Sequence, residues 1–192
     1  MGKLSSKHRV YLEDKFGNRV SLDRVERKLY GHDIAVFPSL FKPLIGQTIP
    51  SAVVQPQNEQ ELIDLVNWAR TNDIPLTPRG KASSGYGGVL PVKGGIVVDF
   101  YRLNKIIQID PALLTVRAQS GVIWEKLDRQ LAKQKLTLRL YPSSYPSSTV
   151  GGWLAQGGAG IGSFEAGWFK ESVLSARVVM PVSYTHLTLP TN

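Results

Sequence analysis

Pro78-Arg79-Gly80-Lys81-Ala82-Ser83-Ser84-Gly85-Tyr86-Gly87-Gly88 is the stretch on which the reading of this chain turns. Glycine takes positive φ without a side-chain clash and lets a ligand come close to the main chain. Successive N–H groups in such a loop form a nest that holds an anion. A second block follows at Thr149-Val150-Gly151-Gly152 and runs on through Gly157-Gly158-Ala159-Gly160-Ile161-Gly162-Ser163. Two nests on one chain suit a ligand with a pyrophosphate and a long body, which means a dinucleotide. Glycines also serve turns and close packing, so each position carries both readings.

The common nucleotide motifs fail here. A Rossmann fingerprint needs G-x-G-x-x-G directly after a strand and opening a helix. The nearest run, Gly158-x-Gly160-x-x-Ser163, lacks the last glycine and follows a short helix predicted at Thr149 to Gln156. A P-loop needs G-x-x-x-x-G-K-[ST]. Around Gly80-Lys81 the first glycine is replaced by Pro75 and the metal-binding hydroxyl by Ala82.

Working outward, Ala52-Val53-Val54 reads as a strand ended by Gln55-Pro56. Asn58 with Glu61 makes a capping-box-like helix start, and Leu62, Leu65, Val66 and Ala69 share one face. Ile74 to Thr77 is the next strand and delivers the first glycine loop, giving a βαβ crossover. Short β-branched runs follow at Ile96–Asp99, Ile106–Ile109 and Leu114–Arg117, with a turn at Asp110-Pro111. A helix over Val122–Lys133 buries Trp124, Leu127 and Leu131, and Leu136 to Leu140 alternates before Tyr141-Pro142. The pattern is α+β: a small parallel unit feeding a mixed, partly antiparallel sheet.

These blocks resemble the FAD-binding domain of the vanillyl-alcohol oxidase and p-cresol methylhydroxylase family, nearest its D-lactate dehydrogenase and glycolate oxidase branch. The family's first loop reads roughly Pro-Arg-Gly-Gly-Gly-Thr-Ser-x-x-Gly-Gly, matched in length and ends by Pro78 to Gly88. Its Gly-Ile-Val-Val-Asp segment is present as Gly95 to Asp99. Its proline, Thr-Ile-Gly-Gly and glycine-rich run correspond to Pro142, Thr149 to Gly152 and Gly157 to Ser163. The departures are Lys81 and Ala82, where the family has glycines.

The resemblance implies a two-subdomain, mixed-sheet FAD-binding domain over residues 50–181, behind a lead-in segment at 1–49 whose centre, Ser21 to Tyr30, sets Leu22, Val25 and Leu29 at helical spacing. It implies FAD between the subdomains, oxidation of a small 2-hydroxy acid by hydride transfer to the flavin, and a separate electron acceptor or iron–sulfur partner subunit. By the same resemblance, the pyrophosphate belongs at Arg79, Gly80, Lys81, Ala82, Ser83, Ser84, Gly85, Tyr86, Gly87 and Gly88. The rest of the cofactor belongs at Pro142, Thr149, Gly151, Gly152, Gly157, Gly158, Gly160, Gly162 and Ser163, with Val178 and Val179 near the adenine. No histidine or cysteine lies in residues 78–88, so the FAD is expected to be non-covalent. Catalytic residues are not assigned. The alternatives are another FAD enzyme of this fold, of the cell-wall precursor reductase type, or a basic binding module that has lost the flavin.

From Val182 to Asn192 the chain departs from the Asp-Gly or Asn-Gly turn that the family places there, and these residues read as a non-native tail replacing the remainder. Residues 183–192 are expected to lack a partner strand. The net charge of +8 comes from scattered lysines and arginines without a nucleic-acid motif, so no nucleic-acid partner is expected. Three dispersed histidines and no cysteine offer no metal set. His32 beside Asp33 reads as a structural pair. Ser143, Ser144, Ser147 and Ser148 lack a histidine for nucleophilic chemistry. No apolar run spans a bilayer, and no secretory signal follows the basic start. Met1-Gly2 with Ser6 fits the short acylation pattern. A cytoplasmic location is expected, with a peripheral place at the inner face of the membrane as a variant.

Overall fold

The computed structural model describes residues 4–35, 40 and 46–180, with the main chain alone of 185–188. Gly2 of the acylation pattern and the rest of the tail lie outside the described residues. The chain divides at Arg102/Leu103 into two compact units, and the lead-in belongs to the first.

The first unit begins with helix α1 (Ser6–Phe16), closed by a reciprocal cap in which Ser5 Oγ accepts the His8 N–H and His8 Nδ1 accepts the Ser5 N–H. Leu12 and Phe16, one helical turn apart, are fully buried. Strand β1 (Val20–Ser21) leads to helix α2 (Arg24–Leu29), whose first N–H groups donate to Asp23 Oδ1. The helix forms as its spacing predicts, but Val25 and Leu29 face solvent, 71% and 60% exposed. Polar contacts hold α2 instead: the Arg27 guanidinium donates to the carbonyls of Leu22 and Pro50 at 3.0 and 2.8 Å.

Strand β2 (Ala52–Val54) is followed by helix α3 (Glu59–Thr71), where Asn58 Oδ1 accepts the Glu61 N–H at 2.8 Å. Lys15–Asp64 and Arg19–Glu61 ion pairs join α1 and the turn after it to α3, and Tyr11 stacks on Trp68. Strand β3 (Leu76–Arg79) starts later than the sequence suggests, because the Ile74 N–H turns back to the Ala69 carbonyl. Strand β4 (Ile96–Asp99) lies between β2 and β3, parallel to both, in the order β1-β2-β4-β3. All four β4 residues are buried, as a strand covered on both faces requires. The β2-α3-β3 crossover is therefore real but split, and residues 80–95, which contain the first glycine loop, carry the chain from β3 into the sheet's middle.

The second unit opens with a hairpin of β5 (Ile106–Asp110) and β6 (Thr115–Ala118), turned where Asp110 Oδ1 accepts the N–H groups of Ala112 and Leu113. Helix α4 (Trp124–Ala132) buries Trp124, Leu127 and Leu131 against Val122, Leu140 and Trp153. Leu136–Leu140 does not become a strand. The Leu136 N–H returns to the Leu131 carbonyl, and only Tyr141 bridges, to Ile161. Helices α5 (Val150–Ala155) and α6 (Ser163–Ala166) precede strand β7 (Ala176–Val179).

The expected absence of a partner strand in the tail is corrected over Thr185–Thr188, which pairs antiparallel with β7 as β8, Ala176 opposite Thr188 and Val179 opposite Thr185. The main-chain N–H and C=O groups of a β-branched strand need a neighbour, and β8 supplies it to β7. The architecture is α+β with one mixed sheet and two antiparallel pairs. No helix among the described residues is long and apolar enough to cross a membrane.

Candidate cofactor-binding site

The two glycine blocks lie on different units and differ in what surrounds their main chains. In the first, β3 delivers the loop at Arg79, and positive φ occurs at Ala82 (52°) and Gly87 (73°). Gly80, Gly85 and Gly88 lack it. A Cβ at Gly88 would meet nothing within 4 Å, and one at Gly85 only Ile34 Cγ1 at 3.8 Å. The fold of the described residues thus needs no glycine at 85 or 88. What glycine provides there is an uncovered main chain.

That main chain carries unused donors. The consecutive N–H groups of Ala82, Ser83, Ser84, Gly85 and Tyr86 have no hydrogen-bond partner among the described residues. Ser84 Oγ is buried and also unpartnered. Leaving the buried Ser84 donor unpaired costs about 1–3 kcal/mol, while Gly85 and Tyr86 stand open to solvent, where an incoming acceptor can reach their N–H groups. An anion with several oxygens, such as a pyrophosphate, fits that donor set. The Lys81 side chain is exposed, with Nζ 4.5 Å above the Tyr101 ring, and the Tyr86 side chain faces solvent.

Arg79 is taken up within the unit. Its Nη1 donates to the carbonyls of His32 (2.9 Å) and Tyr30 (3.2 Å), and its guanidinium lies over the Tyr30 ring. Burial pulls its pKa down, against the upward pull of Tyr30, Asp99 and Asp33. Asp99 is buried and accepts from the Tyr30 hydroxyl (2.9 Å), Gln55 Nε2 (2.8 Å) and the Tyr101 N–H (3.0 Å). Burial, then the Asp99 charge, pushes the Tyr30 hydroxyl up to about 12. His32 contacts the Asp33 main-chain oxygen, while the Asp33 carboxylate serves the N–H groups of Ala35 and Gly87. The roles of Asp33, Tyr30 and Asp99 here escape a sequence reading because the contacts Asp33–Gly87, Tyr30–Asp99 and Gln55–Asp99 join segments far apart along the chain.

The second block is a packed scaffold. Thr149 Oγ1 accepts the Gly152 N–H, the Val150 N–H goes to the Val122 carbonyl and the Gly151 N–H to the Ser120 carbonyl. A Cβ at Gly151 would sit 2.5 Å from Ser120 Cβ. One at Gly160 would meet the Tyr141 carbonyl at 2.5 Å, and the Gly160 N–H donates to Ser163 Oγ. Gly157, Gly158 and Gly162 all have positive φ, and Cβ atoms at the last two would strike Phe169 and the Arg139 carbonyl. Here turns and packing account for the glycines. Pro142 is buried, Val179 is partly buried on β7, and Trp153 packs edge-on to Trp124 in the core. Tyr145 donates its hydroxyl to Asp128, which raises its pKa. Ser148 Oγ, like Ser21 Oγ in the first unit, is also a buried hydroxyl without a partner. No cluster of metal-ligating side chains occurs among the described residues.

A protein-family profile described as FAD binding domain matches residues 50–186. The chain belongs to the FAD-binding domain family. Its cofactor is FAD, and the resemblance to the vanillyl-alcohol oxidase and p-cresol methylhydroxylase enzymes holds. The glycolate oxidase subunit GlcD of Bacillus subtilis is 31% identical over 70% of this chain and 28% of its own length. An alkyldihydroxyacetonephosphate synthase of Dictyostelium discoideum is 31% identical over 77% of this chain and 25% of its own. D-lactate dehydrogenase of Anaerostipes hadrus is 30% identical over 72% and 29%. Among solved structures, an alkyldihydroxyacetonephosphate synthase superposes with a TM-score of 0.81 at 27% identity, covering 94% of this chain and 38% of that one. The chain thus spans about a quarter of the length of these curated relatives.

Proposed function

We propose that these residues are the FAD-binding portion of a flavin-dependent oxidoreductase whose substrate is a small 2-hydroxy acid, with the FAD pyrophosphate held non-covalently at Gly80 to Gly88. The observation that carries the site is the run of N–H groups from Ala82 to Tyr86 that have no partner among the described residues, beside the Ser84 hydroxyl, likewise without one. FAD supplies the hydride acceptor when bound. This chain's residues bind and orient: the loop N–H groups and Ser84 donate to phosphate oxygens. Thr149 to Ser163 and Val179 meet the adenosine side by contact, since the N–H groups of Val150, Gly151 and Gly152 are already bonded. The glycolate oxidase and D-lactate dehydrogenase likenesses support the substrate class. A separate electron acceptor or iron–sulfur partner subunit would take up the electrons.

A second reading is a part in alkyldihydroxyacetonephosphate synthesis, favoured because that likeness extends over more of the chain. The experiment uses the protein that carries these residues, purified with FAD and kept anaerobic. Bleaching of the flavin band by D-lactate or glycolate supports the first reading. An unbleached flavin with formation of alkyldihydroxyacetonephosphate overturns it in favour of the second. Gly85→Ala should lower FAD affinity at least about tenfold, the loss of one or more phosphate hydrogen bonds, with folding intact.

A further inference from the structure

Before the matched family segment begins at residue 50, the chain makes a turn, Tyr30 to Ala35, that lies along the glycine loop of the same unit. Hydrogen bonds at both ends fix it there. At the loop's entrance, the Arg79 guanidinium donates to the Tyr30 and His32 carbonyls. At its exit, Asp33 Oδ2 accepts the Gly87 N–H at 2.8 Å. Between them, Ile34 lies within van der Waals reach of a Cβ placed at Gly85. Asp33 is 8% exposed, and its other oxygen accepts the Ala35 N–H at 2.8 Å.

We infer that the Tyr30–Ala35 turn is a clasp that presets the cofactor loop, with Asp33 and Arg79 as its positioning residues. The inference rests on the proposed FAD site. The physical need is plain. A nest binds an anion well only if its N–H groups already converge, because ordering a free loop costs about 1–2 kcal/mol per residue in backbone entropy. The donors from Ala82 to Tyr86 are bonded to nothing among the described residues, so they do not order one another. The clasp orders them from both flanks without using any of them. The Gly87 N–H itself belongs to Asp33 rather than to a phosphate. A carboxylate beside a phosphate site would repel it if left bare. Here both oxygens are turned onto N–H groups, in the strong, charge-assisted class of hydrogen bond, and Arg79 lies within electrostatic reach.

The test compares Asp33→Ala, Asp33→Asn and Gly85→Ala in the protein that carries this chain, reading amide hydrogen exchange at Gly87, FAD affinity by flavin fluorescence, and thermal unfolding. Asp33→Ala is expected to speed Gly87 exchange and weaken FAD binding, each about tenfold to a hundredfold, as one lost charge-assisted hydrogen bond does. The isosteric Asp33→Asn keeps an acceptor oxygen, should fold normally, and is expected to fall between Asp33→Ala and the parent in both readouts. Such partial rescue would not follow from a bare loss of stability. Parental FAD affinity in both Asp33 variants, with Gly85→Ala weakened, overturns the clasp alone. Faster Gly87 exchange without weaker FAD binding likewise reduces Asp33 to a fold residue and overturns it. Parental affinity in Gly85→Ala overturns the loop's assignment to FAD, and the clasp's role falls with it.

Discussion

Gly162→Ala and Gly88→Ala form a pair that separates a glycine needed by the fold from one needed by a ligand. Gly162 stands at φ +88° and ψ −9°, a left-handed conformation that costs a residue with a Cβ about 1–2 kcal/mol. Its Cβ would strike the Arg139 carbonyl oxygen, a main-chain atom that cannot rotate aside. Forcing such a contact adds about 1–3 kcal/mol. The smaller freedom of alanine in the unfolded chain returns about 0.4–1 kcal/mol. The net expectation is a loss of about 2–4 kcal/mol. At Gly88 φ is not positive and a Cβ meets open space, so the same substitution should be neutral or stabilise by about 0.4–1 kcal/mol. Urea unfolding of each variant beside the parent, with FAD titration of the folded proteins, reads both effects. Gly88→Ala is expected to keep its stability and lose FAD affinity. Gly162→Ala is expected to lose stability first. A neutral Gly162→Ala, or a Gly88→Ala destabilised by more than about 1 kcal/mol, would refute the division of roles between the two blocks.

Ala82→Gly should change stability by less than about 1 kcal/mol. Relief of its φ of 52° is offset by glycine's unfolded-state freedom and the lost buried methyl, and a shift above about 2 kcal/mol either way contradicts this. Leu127→Ala should cost about 2–5 kcal/mol, because the side chain is buried between Trp124 and Leu131 in the second unit's core; a cost below about 1 kcal/mol in urea would show that this core is loose. Tyr30 titrates at about 12 in the fold against 10.0 as its ordinary value, so its contribution is complete below pH 10. As pH rises from 10 toward 12 the native state keeps a proton that the unfolded chain has lost, and stability falls. Tyr30→Phe should flatten that stretch of the stability curve, and an unchanged slope counts against the upward shift that burial and Asp99 together impose on the hydroxyl. Lys81→Ala removes a cation–π contact with Tyr101 worth about 0.5–1 kcal/mol. It should leave the salt dependence of FAD binding as it was; a flatter dependence would show that the amine pairs with phosphate instead.

Local signals in the sequence gave the elements around the site. Asn58 with Glu61 predicts the start of α3, and β-branched runs mark β2, β4 and β5. Helix α1 is not legible in the sequence, although Ser5 and His8 cap it and Leu12 and Phe16 bury one face, because its other exposed positions dilute the pattern. Leu136–Leu140 misled, since alternation reports burial of every second residue and not the presence of a neighbouring strand. The place of β4 between β2 and β3 depends on pairing between distant segments, which periodicity does not encode. The glycine blocks look alike as strings. Only the structure separates them, since a free N–H at Ser84 and one bonded to Ser120 at Gly151 have the same sequence signature. Arg79 and Asp33 are similar cases, legible as charged residues but not as the two ends of one brace.

The order β1-β2-β4-β3 also governs how this unit can be born. A chain leaving the ribosome from its N-terminus can pair β1 with β2 early, but β3 has no neighbour until Ile96–Asp99 emerges and slides between strands already made. Until then one edge of β2 and both edges of β3 present bare N–H and C=O groups beside apolar side chains, the kind of surface that recruits other chains. The loop that awaits the cofactor is the tether on which the last strand arrives. Translation halted before residue 96 would therefore leave an aggregating intermediate, with no small folded domain to fall back on.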